Sequence, residues 1–564
     1  MVRRLLLLLI ALLLAWIAWA LATLPPESVA LRVPAPSPGD PPVVRGIYHV
    51  HSRASDGTGS VEDIAAAAGR AGLRFVILTD HGDASRAAPA PRYIGGVLCI
   101  EAVEVSTAGG HYAAIGMAPP PYPLGGEARD VVEDVARLGG FGIASHPDSS
   151  KPELRWDAWD APFDAVEWFN ADSQWRDERR WRLLPAILQY PLRPSESLVS
   201  LFDRPDDLLR RWDALNARRR IVGLAAADAH ARMGLGGKPD PYDDLVHVKL
   251  PSYEAIFRTF SLRVELPAPL SGDAGPDAAA VTAAIRAGRV YTVFDGIAGP
   301  GVLTFTAASG GAVARQGGTL PADGPVRLRA AVNGPPRTSL LLLRDGELVR
   351  RADGPSLEWE GDRPGAYRVE AHLPDAPGGP PLPWILGNPI YVGRPPGAPA
   401  AGAVPPAAAR LVWPPGTWRI EKDERSTGRT STAAGDGRIR HTLHYELGRE
   451  GGSPFVALVT QEVGAMHDAT RIAFRAASAR PMRLSVQVRL LDGALERRWQ
   501  RSVYLSPEPR DVTVHFADMR VAGTGAREAL APARIHSLLF VVDTVNARPG
   551  SGGVLWVEEL RTER

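Results

Sequence analysis

Six short blocks of this chain carry side chains that could hold metal ions: His49-x-His51, Ser55-Asp56-Gly57, Thr79-Asp80-His81, Glu104 with His111, His146, and Asp228-x-His230. The first 250 residues contain seven histidines, and only His247 falls outside these blocks. Imidazole mixed with carboxylate suits zinc, manganese or iron, and the thiolates typical of structural zinc are missing from the set. Nine candidate ligands (His49, His51, Asp56, His81, Glu104, His111, His146, Asp228 and His230) are too many for one ion, so two or three divalent ions are expected. A bridging carboxylate and a metal-bridging hydroxide let such ions lie about 3.5–4 Å apart, where they act as Lewis acids and supply a water nucleophile near neutral pH. That is hydrolytic chemistry, with Asp56, Asp228 and His230 as the expected catalytic groups. Glu101 competes with Glu104 for the carboxylate position, and the spacing to His111 favours Glu104. Asp80 is expected one step behind the ligands, orienting an imidazole through its free N–H.

The elements around these blocks are those of βα units. Residues 46–51 alternate as a strand, a polar loop follows to Gly59, and Ser60 with Asp63 at the capping-box position opens a helix that Gly72 ends. Phe75–Leu78 is a continuous apolar run and therefore a buried strand, delivering His81 at its C-terminal end. Phe141–Ala144 leads likewise into His146, and residues 221–224 into Asp228. Parallel α/β sheets and barrels place their chemistry at such strand ends. His49 and His51, two apart on a strand, are expected to leave the same face. A stretch with Trp156, Trp159, Trp168, Trp175, Trp181 and Trp212 forms either a wall of the substrate pocket or plain helical packing.

Taken in order, the six blocks resemble the PHP (polymerase and histidinol phosphatase) superfamily over residues 45 to about 250. The resemblance implies a distorted (β/α)7 barrel around a two- or three-metal cluster. It implies that His49, His51, Glu104 and Asp228 hold one ion, that Glu104 bridges to a second held by His111 and His146, and that Asp56, His81 and His230 hold a third. Ala287-Gly288-Arg289-Val290-Tyr291, residues 364–369 and residues 383–391 are similar to the C-terminal part of the carbaryl-hydrolase-like branch, which includes enzymes acting on carbamate or aryl ester bonds.

The remainder of the 564 residues sets the context. Arg3 and Arg4 precede an apolar run from Leu5 to Leu24, long enough to span a bilayer at about 20 residues and oriented with its N-terminus in the cytoplasm. Residues 1–24 are thus a transmembrane anchor or, with Ala20-Leu21-Ala22 as a cleavage signal, a signal peptide. Either way the later domains are extracytoplasmic, periplasmic or extracellular. The single cysteine, Cys99, leaves no intramolecular disulfide and reads as a small core residue. Residues 25–44 are a Pro-rich linker, 45–300 the metallohydrolase domain, 301–393 a small Ig-like β-sandwich by alternation, 394–409 a Pro/Ala/Gly linker, and 410–564 a C-terminal jelly-roll-like β-sandwich. This last segment resembles carbohydrate-binding modules in pattern, with Asp543, Asn546, Trp499 and Trp556 as candidate glycan contacts. A net charge of +1 offers no electrostatic case for nucleic acid.

The leading expectation is a phosphoesterase acting on a small-molecule or other phosphoester substrate, with Arg53, Arg86 and Lys151 as candidate substrate clamps. One alternative keeps the metals and changes the bond to a carboxylic ester, carbamate or amide. Another is a membrane-tethered binding protein with structural metals, although nine ligands exceed the closed four-ligand sites that structural roles usually take.

Overall fold

The structure is a computed structural model, and it describes residues 2–35, 39–234, 247–321, 324–393, 410–412, 418–435, 438–449, 452–492, 495–523 and 528–564. The linker expected at 394–409 lies outside the described residues.

Two sheets position the candidate metal-binding blocks. In the first, β1 (Val43–Val50), β2 (Phe75–Leu78) and β3 (Val97–Glu101) run parallel. After Ala102 the chain passes directly into β4 (Val103–Thr107), the edge of a second sheet that continues through β5 (Gly110–Ile115), β6 (Phe141–Ala144), β7 (Ala165–Asn170) and β8 (Val222–Ala226). β6, β7 and β8 are parallel, while β5 runs antiparallel to both its neighbours. The short turn at Ala108 and Gly109 dictates that reversal, since only an antiparallel pair can be joined so tightly.

Both edges of the second sheet touch the first. His81 bridges to Glu104, with Glu104 N donating to Asp80 O (3.1 Å), and Val50 bridges to Ala229, with His51 N donating to Ala229 O (3.0 Å). Residues just past the ends of β1 and β2 are thereby drawn against Glu104 on β4 and the segment after β8. Helix α2 (Val61–Arg70) opens as expected, with Ser60 Oγ accepting from Asp63 N (3.2 Å) and Asp63 accepting from Ser60 N (3.0 Å). The buried faces of β2, β3, β6 and β7 form the main core, which Trp156, Trp168 and Trp212 fill. For those three tryptophans the packing role holds.

The first sheet does not stop at residue 300. β9 (Ser261–Glu265) pairs with β1, β10 (Val290–Val293) pairs with β9, and Ile385–Gly387 pairs with β10. Beyond residue 300 the chain therefore extends the first sheet while also building a four-stranded sheet over it, and Tyr291 and Val293 belong to the core between them. The expected boundary at 300 divides the sequence but not the sheet. A buried ion cluster reinforces the junction: Arg368 pairs with Asp213 (2.6 Å) and Glu370 (2.5 Å), and Glu370 also pairs with Arg204 (2.7 Å).

The C-terminal segment forms two six-stranded sheets around a separate apolar core. Its strands Met482–Asp492 and Leu495–Leu505 lie on helix α3 (Ala128–Arg137), where buried Arg483 reaches Asp134 (2.7 Å) and the Asp130 carbonyl (2.7 Å).

Candidate metal centre

All nine expected ligand residues converge. Glu104, fully buried on β4, is the hub: Oε1 lies 2.9 Å from His146 Nε2 and 3.2 Å from His111 Nδ1. Its other oxygen lies 3.2 Å from His49 Nε2, 3.4 Å from His51 Nε2 and 3.3 Å from His81 Nδ1. Asp228 Oδ1 stands 3.3 Å from His49 Nε2 and 3.2 Å from His51 Nε2. Asp56 Oδ2 stands 3.2 Å from His230 Nε2 and 3.7 Å from His81 Nε2. Donor atoms sort into overlapping groups within 4.8 Å of one another, among them His51, Asp56, His81, His230; His49, His51, Glu104; and His81, Glu104, His111. Donors that share one ion at about 2.0–2.2 Å must lie about 3–4.4 Å from each other, so these spacings fit.

Three observations go beyond proximity. The side-chain atoms His81 Nδ1, His111 Nδ1 and Asp228 Oδ1 are buried without a hydrogen-bond partner, a costly state for polar groups that an ion among them would relieve. Burial by itself would raise the pKa of Glu104, yet His49, His146 and His111 hold it well below the usual carboxylate range. Burial, with His230 beside it, pushes His51 down to about 4, which keeps that imidazole neutral and its lone pair free to ligate.

The backbone is strained where these ligands are presented. His49, His146 and Asp228 have φ of 67°, 48° and 45°, the left-handed region that non-glycine residues rarely occupy outside functional sites. Simple strand alternation therefore does not bring His49 and His51 together: the β1–β2 register shifts between Tyr48 and Val50, and this bulge re-aims His49. Gly57 shows a related constraint, because a Cβ there would collide with the His51 carbonyl oxygen and crowd the Tyr253 hydroxyl. The loop carrying Asp56 closes under His51 only with glycine at that position.

Other expected residues fall elsewhere. Glu101 pairs with Arg92 (2.7 Å) and leaves the carboxylate position to Glu104. Asp80 accepts from Ser52 N (2.7 Å), Ser52 Oγ (2.7 Å) and Ser55 Oγ (2.6 Å), and Ser55 Oγ stands 3.4 Å from His51 Nδ1. Its link to an imidazole thus runs through a serine. Arg53 is exposed, with Nε donating to Thr58 O (2.7 Å) and the guanidinium 3.6 Å from Asp63, and Lys151 is exposed as well. Arg86 borders a cleft of about 860 Å³ that reaches Asp80 and His81 and is otherwise lined largely by alanine and proline.

Sequence reasoning missed Glu167. It is fully buried on β7, accepts from His49 Nδ1 (2.6 Å), Tyr48 Oη (3.1 Å), His146 N (2.9 Å) and Asn170 Nδ2 (2.9 Å), and so turns His49 Nε2 toward the cluster. The available signal was a lone carboxylate inside the apolar run Ala165–Asn170. Asp172 on α4 (Ala171–Arg176) was also missed, and it groups with Asp228 and His230. Trp175 and Asp172 line a small recess beside Asp228 and His230, and Arg176 lies over the Trp175 ring at 4.6 Å. Arg176 pairs with Asp172, whose charge, with those of Asp228 and Asp56, raises its pKa against burial, and Arg232 lines the recess itself.

Comparison with protein-family models gives no match, and neither does comparison with curated proteins. Among solved structures, similarity extends to a two-domain protein from Bacteroides vulgatus described as containing a predicted PHP-like metal-dependent phosphoesterase. The identity is 13%, over 64% of this chain and 99% of that one, with a TM-score of 0.29. The family 11 carbohydrate-binding module of a Clostridium thermocellum cellulosomal cellulase is similar at 15% identity, over 28% of this chain and 95% of that one, with a TM-score of 0.23. A family 30 carbohydrate-binding module of a cellulosomal cellulase from the same organism is similar at 11% identity, over 24% and 80%, with a TM-score of 0.19. Similarity this distant bears no functional weight; the geometry of the centre does.

The candidate glycan contacts are engaged within the molecule. Asn546 Nδ2 donates to Pro123 O (3.2 Å), Trp499 is buried with Nε1 donating to Glu528 O (3.1 Å), and Asp543 accepts from Val545 N (3.0 Å). Trp556 keeps a partly exposed ring, with Arg440 over it at 4.2 Å.

Proposed function

We propose that this chain is a metal-dependent hydrolase of the PHP type, acting on phosphoesters, with its centre in a distorted (β/α)7 barrel. The observation that carries this reading is Glu104 facing imidazoles through both oxygens, with unpartnered His81, His111 and Asp228 atoms around it. His49, His51, Glu104 and Asp228 would hold one ion, Glu104, His111 and His146 a second, and Asp56, His81 and His230 a third. Bound ions, zinc, manganese or iron, would supply Lewis acidity and a water acidic enough to ionise near neutral pH.

The chain's own groups do the rest. Glu167 fixes the His49 tautomer, and the Asp228 backbone carbonyl, 2.9 Å from His230 Nδ1, keeps that ring in place. Asp228 and His230 line the recess beside α4, with Asp56 3.2 Å from His230, where a proton could pass to a leaving group, and Arg232 in its lining and Arg176 on α4 present positive charge to an anionic ester. The cleft beyond His81 favours a second reading: its alanine and proline lining suits an apolar carboxylic ester or carbamate better than a bare phosphate.

Helix α1 (Val2–Thr23) is long and apolar enough to cross a bilayer, and we read it as an anchor with the domains outside the cytoplasm, a cleaved signal being the alternative. We read the C-terminal sandwich as a carbohydrate-binding-like module. The deciding experiment is elemental analysis of the purified chain together with hydrolysis of p-nitrophenyl phosphate, bis-p-nitrophenyl phosphate and p-nitrophenyl acetate, for wild type and His49→Ala. Two or more equivalents of metal and activity lost in the variant support the hydrolase, and the preferred substrate names the bond. Less than one equivalent with no variant-sensitive turnover rejects it.

A further inference from the structure

Helix α5 (Arg180–Gln189) exposes a stripe that a soluble surface rarely leaves bare. Trp181 is 68% exposed, Leu184 59%, Ile187 48%, and Leu192 just beyond the helix 44%. The spacing places Trp181, Leu184 and Ile187 on one face, with half-buried Leu188 beside them. Arg179 and Arg180, both exposed, open the helix.

The position of this stripe identifies what covers it. Gln189 Nε2 donates to both Thr23 O (2.7 Å) and Thr23 Oγ1 (2.9 Å), and Arg193 donates to Pro25 O (2.7 Å). The end of α5 is thus tied to the residues where α1 ends. If α1 spans a bilayer, Thr23 stands at the lipid–water boundary, and a helix tied to it at that depth meets headgroups and the upper acyl chains. An apolar face with tryptophan and flanking arginine is the composition that settles there.

We infer that α5 is a second membrane contact, a short helix whose Trp181, Leu184 and Ile187 face lies in the bilayer interface beside the anchor. The inference rests on the anchor reading of α1. Only residues 177–179 separate α5 from α4, which carries Asp172 and Trp175 at the wall of the recess beside Asp228 and His230. Seating α5 therefore holds that wall close to the lipid surface, where amphiphilic substrates concentrate.

The test uses the full chain reconstituted in phosphatidylcholine/phosphatidylglycerol vesicles. Leu184→Cys and Ile187→Cys are spin-labelled, with Leu9→Cys in α1 and the exposed Val313→Cys as references; native Cys99 is buried. Collision with dissolved oxygen is compared with collision with a water-soluble nickel complex. The expected result is that labels at 184 and 187 gain oxygen collisions and lose nickel collisions, as at position 9 and opposite to position 313. Labels at 184 and 187 that behave like position 313 while position 9 is in lipid overturn the inference and leave the anchor standing. Labels shielded from both reagents mean burial by protein, which also overturns it. If position 9 has been removed by cleavage and 184 and 187 still enter lipid, the helix contact stands and the anchor reading falls.

Discussion

Glu104 and Glu167 are both buried carboxylates among histidines, yet they do different work. Glu104 offers both oxygens to the cluster, so Glu104→Gln should remove the bridge and bring bound metal below two equivalents, read by elemental analysis. Glu167 touches the backs of the ligands, so Glu167→Gln should leave the ligand set complete while weakening metal affinity by about 10–100-fold, measured by competition with a chelator. Protons compete for the same rings. Burial opposes charge on His146 and His230, but Asp228 and Glu104, and Asp228 and Asp56, raise them to about 9 in the ion-free chain. Those folded values lie above the unfolded value of about 6.5, so the stability they lend the ion-free protein is complete below that pH and is lost as pH rises through about 9. Metal needs the deprotonated rings, so its effect has the opposite sign. Added zinc should raise the melting temperature more at pH 8.5 than at pH 6, with protons released on binding. An equal shift at both values would show that these rings are not displaced.

At the scale of elements, the centre depends on backbone that does not follow regular geometry. The bulge at His49 aims that ring at Glu104 and Asp228, and the tight loop at Gly57 brings Asp56 beside His51 and His230. Gly57→Ala should therefore cost metal binding more than it costs fold, visible as reduced metal content in a protein with unchanged circular dichroism. Helix α3 has a different task, because buried Asp130 and Asp134 face Arg483 and Arg501 of the C-terminal sandwich, Asp134 also meeting Arg137 and Tyr122 of its own domain. Removing one partner of a buried pair typically costs about 3–5 kcal/mol. Arg483→Ala should accordingly loosen the sandwich from α3, detected as faster proteolysis between the two while each core stays protected.

At the scale of the molecule, the sheet that begins beside the metal centre runs through β9 and β10 into strands beyond residue 300. With residues 1–24 removed from both, a chain ended at 300 should expose the β10 edge and leave Asp213 without Arg368, and so be insoluble; one ended at 393 should be soluble and keep its metal. Comparable solubility of the two fragments would contradict that dependence.

The residues of the cluster were legible because histidine and carboxylate recur together at the ends of apolar strands, and local spacing preserves that pattern. The capped start of α2, the buried strand at 75–78 and the apolar N-terminal run were legible for the same reason, since each depends on near neighbours in the chain. Glu167 was not, because a carboxylate within a strand acquires a role only from the histidines opposite it, 118 residues away in the case of His49. Arg53 and Lys151 lie exposed while Arg86 borders the cleft beyond His81, and the glycan contacts expected of Asn546 and Trp499 turned inward, because exposure is decided by what packs against a residue. Pattern along the chain determined which residues could bind metal; only tertiary contact decided which of them meet, how they are aimed, and which charges remain to face a substrate.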